Sequence, residues 1–243
     1  MGHPDPQPLT RWRAAPPSLP VRLGWLGIAS AALDLAAVYW KMPAIRPGVT
    51  CGDLVDIATP VVLVLLYALV LRRLPSADLR PRLLFALGGF GLLIGHGIHV
   101  GANSIHDALD RAGMTDPVGL ANWWDEHVSH YTIHGAKALL GVGLTALESG
   151  RGSEEKRPAI FWIGALAYGF IAFTEGVEGQ TVPLVLPFVV LYVAWSLGRG
   201  RPLAPVRLFY TLAALVSILL FAVWGIAHRG FPEFSQVGLI PRP

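Results

Sequence analysis

Cysteine is almost absent from this chain. Cys51 is the single one in 243 residues, which excludes an internal disulfide framework and a thiolate metal cage. No CxxCH run occurs, so a covalent c-type haem is excluded as well. Charge is scarce too: 14% of the residues are charged, against about 25% in an ordinary soluble domain. The net charge is only +3, and the arginines are spread among connecting segments rather than gathered in one patch. A nucleic-acid partner is therefore not expected. Residues 1–20 are polar and Pro-rich and lack the apolar core of a cleavable signal peptide. They are read as a flexible cytoplasmic tail. No internal repeat survives a residue-by-residue comparison.

Apolar sequence is abundant. Hydrophobic residues make up 53% of the chain, and the mean hydropathy is +0.51. Runs of about 20 apolar residues recur, the length needed to cross a bilayer. The expected fold is all-α, a polytopic integral membrane protein with seven transmembrane helices. The spans are read near Val21–Trp40, Gly52–Leu71, Leu83–His106, Trp123–Leu147, Ala159–Glu178, Val182–Leu197 and Val206–His228. They form a membrane domain over residues 21–230, followed by an external tail over 231–243. Pro60 is expected to kink the second span. The sixth is the shortest and carries Pro183 and Pro187.

Loop charges set the expected orientation. Arg11 and Arg13 precede the first span and Arg22 stands at its start, and Arg72, Arg73, Arg80 and Arg82 follow the second. Arg151, Lys156 and Arg157 follow the fourth, and Arg199, Arg201 and Arg207 follow the sixth. The alternate loops are poorer, with Lys41 and Arg46, then Arg111. By the positive-inside rule the N-terminus is cytoplasmic and the C-terminus external. The expected location is the bacterial inner membrane.

Histidine is concentrated. Six of the eight histidines fall between His96 and His134. His96, His99, Asn103 and His106 share one helix face, and Glu126, His130 and His134 share another at spacings of four. Ionisable side chains are costly within a bilayer and tend to mark function there. Two imidazoles four apart on a helix can share one metal ion. The candidate ligands are His96, His99, His130, His134 and Glu175, and the rings of His99, His130 and His134 are expected within about 5 Å of one another. Glu126 is the candidate base acting on a metal-bound water. The competing reading of the same residues is a polar network of histidines and water with no metal. His106, His127, Asp56 and Glu178 are further candidates, with Asp56 the deeper of the pair Asp53 and Asp56. Asp125 reads as a helix N-cap rather than a ligand.

The third span is glycine-rich. Gly91 with Gly95, and Gly97 with Gly101, have the small-xxx-small spacing that allows close helix approach. Such an approach brings His96 and His99 toward the fourth span. Asp34 and Lys137 are expected to pair or to join the polar network. Residues 107–122 read as a partly helical external lid.

Seven spans with a His-xxx-His pair, His130 and His134, broadly resemble the alkaline ceramidase and adiponectin-receptor group of zinc hydrolases. In that group the pair lies in the last span and the site faces the other side, whereas the seventh span here has only His228. No residue role is carried over and no family is assigned. The HxxHH boxes of membrane di-iron hydroxylases are absent.

The expected function is a membrane-embedded metal-dependent enzyme, a hydrolase or an oxidase or hydroxylase. Its cofactor is a divalent metal, zinc or iron, with copper as a further option. Its substrate is lipid-like or small and apolar. The alternative is a non-enzymatic metal- or haem-binding membrane protein or a transporter. Bare inner halves of the spans weigh against transport.

Overall fold

The computed structural model describes residues 16–40, 42–46, 49–74, 78–148, 155–198 and 202–239. Arg11, Arg13, Lys41, Arg151, Arg199, Arg201 and the last four residues of the expected external tail lie outside them, as do the side chains of Arg46, Asp107 and Arg111. The described residues form an all-α membrane protein. Its helices are α1 (Leu19–Tyr39), α2 (Cys51–Leu71), α3 (Leu79–Arg111), α4 (Thr115–Trp123), α5 (His130–Leu147), α6 (Ala159–Glu178), α7 (Val182–Gly198) and α8 (Pro205–His228). A short antiparallel pair, β1 (Pro43–Arg46) and β2 (Val49–Thr50), joins α1 to α2.

Five of these helices, α1, α2, α3, α6 and α8, are long and apolar enough to cross a membrane. The helix α7 is apolar but shorter, at 17 residues. The bundle wears its apolar side chains outward: Leu65, Leu87, Leu191, Leu219 and Ile226 are all exposed. That is the reverse of a soluble protein and suits a hydrocarbon solvent.

Helix ends follow local chemistry. Thr50 caps α2 through a reciprocal pair of bonds with Asp53, satisfying two orphan donors. Glu148, past the end of α5, accepts the N–H groups of Val206 and Arg207 and so caps the first turn of α8. Burial pushes its carboxyl above the usual range, opposed by those two N–H groups. Pro60 removes the N–H that would bond the Asp56 carbonyl one turn earlier in α2.

Close helix contact depends on glycine at several interfaces, two of which shape the site. The α3–α5 interface uses Gly88, Gly91 and Gly95, whose faces lie against Leu140, Ala136 and Ile133. The expected pair Gly91 and Gly95 is there, but the pair Gly97 and Gly101 is corrected: both have open space beside them and take no part. The second interface is α1–α6, where Gly24 lies on the Ile160 backbone and Gly27 on Gly164. There is no room for a Cβ at either position.

The expected lid is different in form. The helix α3 continues to Arg111, and α4 runs without a break through a π-helical turn, Trp124–Ser129, into α5. Asp125 therefore lies inside a continuous helical path and caps no helix, which corrects that expectation. At the other end, Leu19 and Pro20 already belong to α1. Residues 231–239 turn back onto the bundle: Trp224 Nε1 donates to the Pro232 carbonyl, and the Phe234 N–H donates to Glu178.

Candidate metal centre

The π turn decides which side chains meet. In an α-helix each residue advances about 100°, so residues five apart point roughly 140° away from each other. A π turn closes i to i+5 instead and brings such a pair onto one side. Asp125 and His130 are five apart across this turn, and both reach His99 on α3. The Ser129 hydroxyl donates to the Asp125 carbonyl within the same turn.

Three ligand atoms converge there. His99 Nδ1 is 2.6 Å from Asp125 Oδ1 and 3.3 Å from His130 Nε2, and all three atoms lie within 4.8 Å of one another. The rings of His99 and His130 are edge-on, with centroids 5.0 Å apart. Asp125 Oδ1 is buried and, despite its closeness to His99, has no hydrogen-bond partner of acceptable geometry. Ligands about 2.1 Å from one tetrahedral ion stand about 3.4 Å apart. The His99–His130 pair already meets that spacing; the Asp125 pair has to open by roughly 0.8 Å to meet it. The residues present therefore fit a divalent ion as a two-histidine, one-carboxylate set.

Asp56, from α2, stands behind this group. Its Oδ2 is 3.4 Å from His99 Nε2 and its Oδ1 is 3.0 Å from His96 Nδ1. A carboxylate behind a histidine fixes which ring nitrogen carries the proton. If Nε2–H of His99 faces Asp56, the Nδ1 lone pair faces Asp125. Two acceptors then stand at 2.6 Å, and either a second proton on the ring or a metal cation reconciles them.

The remaining expected ligands are drawn elsewhere. His96 turns Nδ1 to Asp56 and leaves a buried Nε2 without a hydrogen-bond partner. His134 faces Glu175, at 3.9 Å. Glu175 itself is bonded to Lys137, whose Nζ is also 3.5 Å from Asp34 Oδ2. The expected meeting of Asp34 and Lys137 is thus present, with Glu175 as its third member. His134 and Glu175 do not join the group around His99. Glu126 is half-buried in the π turn, near enough to Asp125 and His99 to feel their charge. His127 is exposed and stacks on Trp123, and Glu178 holds the Phe234 backbone.

One position that shapes the candidate site was missed at the level of sequence. Gly179, just past α6, has the His130 ring packed against it where a side chain would stand. A glycine in Glu178-Gly-Gln180 reads as an ordinary helix stop, and nothing local marks it as the floor beneath the His130 ring.

A cavity of about 370 Å³ adjoins the site. His130, His96 and Asp56 line it, together with His134, Glu175 and Asp34. The two polar clusters thus face each other across one space. No protein family, curated protein or solved structure matches the chain.

Proposed function

We propose that this protein is a membrane-embedded metal-dependent enzyme. His99, Asp125 and His130 would hold one divalent ion, and the substrate would be a lipid-like or small apolar molecule. The observation that carries the reading is the convergence of three ligand atoms from α3 and the π turn within 4.8 Å, beside a cavity that His130 also lines. We further place this end of the bundle outward, in a bacterial inner membrane, on the strength of the loop arginines.

A divalent ion at such a site supplies Lewis acidity toward water or a substrate oxygen. The chain's own residues would do the rest. Asp56 orients His99 and holds the proton on its Nε2. Glu126 takes and returns a proton at the mouth of the site. The apolar cavity wall keeps bulk water from the reacting atoms. Two histidines and one carboxylate suit zinc in a hydrolase and iron(II) in an oxidase or hydroxylase. A haem between His99 and His130 is disfavoured, because nitrogens 3.3 Å apart leave no room for a macrocycle between the rings.

Elemental analysis of detergent-purified protein tests the reading. One equivalent of zinc or iron, lost in His99→Ala and in Asp125→Ala, is the expected result. Metal-free protein that regains none after dialysis against zinc or iron(II) would mean that a protonated His99 merely bridges Asp56 and Asp125.

A further inference from the structure

The cavity beside the site has a shape set by glycine. At one end of α1, Gly24 and Gly27 press directly on the α6 backbone at Ile160 and Gly164. About two to four turns further on, the same two helices carry Asp34, Leu35, Val38 and Phe170, Phe173, Glu175, and these line the cavity. The helices are thus clamped at one end and hold a space between them at the other. Leu35, Val38 and Phe170 are among the exposed apolar side chains, so the rim they form faces the surrounding lipid. Trp224, Phe234 and Leu239 line it from α8 and the returning C-terminal segment.

The polar floor is rich in acceptors, although His130, His134 and Thr174 also line it. With Nδ1–H donated to Asp56, the neutral form of the His96 ring presents a lone pair at the buried, unpartnered Nε2. Glu175 Oε2 is buried without a hydrogen-bond partner, and so is Asp34 Oδ2, 3.5 Å from Lys137 Nζ. All three are acceptors, and all three residues line the cavity. Four carboxylates line it in all, those of Asp34, Asp56, Glu175 and Glu178, with Lys137 the cation bonded to Glu175. Buried acceptors left unpaired are costly, so an occupant is selected by what it donates.

We propose that this cavity binds a single-chain amphiphile with a hydrogen-bond-donating head, a primary alcohol or amine, entering from the bilayer between α1 and α6. The head lies at the polar end of the cavity and donates to one of these acceptors, and the chain lies along Leu35, Val38, Phe170 and Phe173. The volume accommodates about a dozen non-hydrogen atoms at roughly 30 Å³ each, a chain of medium length. A fatty acid is disfavoured by the same floor, since its carboxylate would face carboxylates of its own sign. Calling this ligand the substrate rests on the proposed function; the binding itself does not.

Native mass spectrometry of the full chain in detergent tests it, with dodecan-1-ol, dodecylamine and dodecanoic acid as probes. The alcohol and the amine form a saturable one-to-one adduct, and the acid binds at least about tenfold more weakly. Val38→Trp, which fills the rim, abolishes the adduct, while Val223→Trp on the outer face of α8 leaves it intact. His96→Phe removes an acceptor and narrows the preference for alcohol over acid. Equal binding of the acid, or an adduct indifferent to Val38→Trp, overturns the proposal. His99→Ala separates the two readings, because His99 does not line the cavity. Adduct formation without metal in this variant and in the wild type would leave the cavity proposal standing and remove the enzyme reading. Metal without any adduct would do the reverse.

Discussion

The ring of His130 occupies the space that a side chain at position 179 would need. Only a glycine at the end of α6 lets that imidazole reach His99. The backbone at 179 is in an ordinary region, with φ −85°, so alanine is not excluded there by backbone strain. Its methyl group has to push His130 away. Gly179→Ala is expected to lower metal affinity by about 10–100-fold, the range seen when ligand-supporting contacts are lost. Gly97→Ala, which meets open space, serves as the control and keeps the wild-type stoichiometry. Equal metal content in both variants would show that His130 is not a ligand.

Asp125 and Asp56 both approach His99, but from opposite ring nitrogens. Asp125→Asn is expected to strip the ion, because it removes the anionic ligand. Asp56→Asn keeps the site but weakens it about 10–100-fold, since it disturbs only the orientation of the ring. Titration of the metal-free variants with zinc distinguishes the two. If the order of the effects is reversed, Asp56 is the ligand and Asp125 the support.

Glu126 and Glu175 separate in the same assay. Glu175 is committed to Lys137, so Glu175→Gln is expected to retain full metal stoichiometry. Glu126→Gln also retains it, but turnover falls by about 10²–10⁴-fold, the usual worth of a positioned base. Loss of metal in Glu175→Gln would restore that residue to the ligand shell.

Lys137 stands between Asp34 and Glu175 in the interior of the bundle. Removing the cation leaves two carboxylates facing each other without compensation. Lys137→Met is expected to cost about 3–5 kcal/mol, the range for a broken buried ion pair. Adding Asp34→Asn to that variant recovers part of the loss, because one charge no longer needs a partner. Thermal unfolding in detergent reads both. A Lys137→Met protein as stable as the wild type would mean that water already reaches this cluster.

Orientation has its own test. The arginine-rich loops predict that a reporter fused at the C-terminus is external and that one inserted near Glu154 is cytoplasmic. A cytoplasmic C-terminus would place the histidine site on the inner leaflet.

Much of this molecule was legible in the order of its residues. The apolar runs mark the segments that form α1, α2, α6 and α8 to within a few residues, because a membrane segment has to satisfy its own backbone and does so as a helix. The clustering of His96, His99, His130 and His134 likewise picks out α3 and α5 as the pair that carries the candidate site. Asp34 and Lys137 announce each other, since neither is tolerable alone in an apolar bundle.

The membership of the site was decided by tertiary structure, for two physical reasons. Sequence periodicity assumes 100° per residue, which puts Glu126 in line with His130 and His134 and turns Asp125 away. The π turn over Trp124–Ser129 breaks that register and brings Asp125 to His99 instead. The second reason is competition between partners far apart in the chain. Glu175 has the chemistry of a ligand, but Lys137 lies nearer and takes it, while Asp56, 40 residues from His96, fills the place behind the histidines. Spacing along a chain states what each side chain can do; only packing states which neighbour it reaches first.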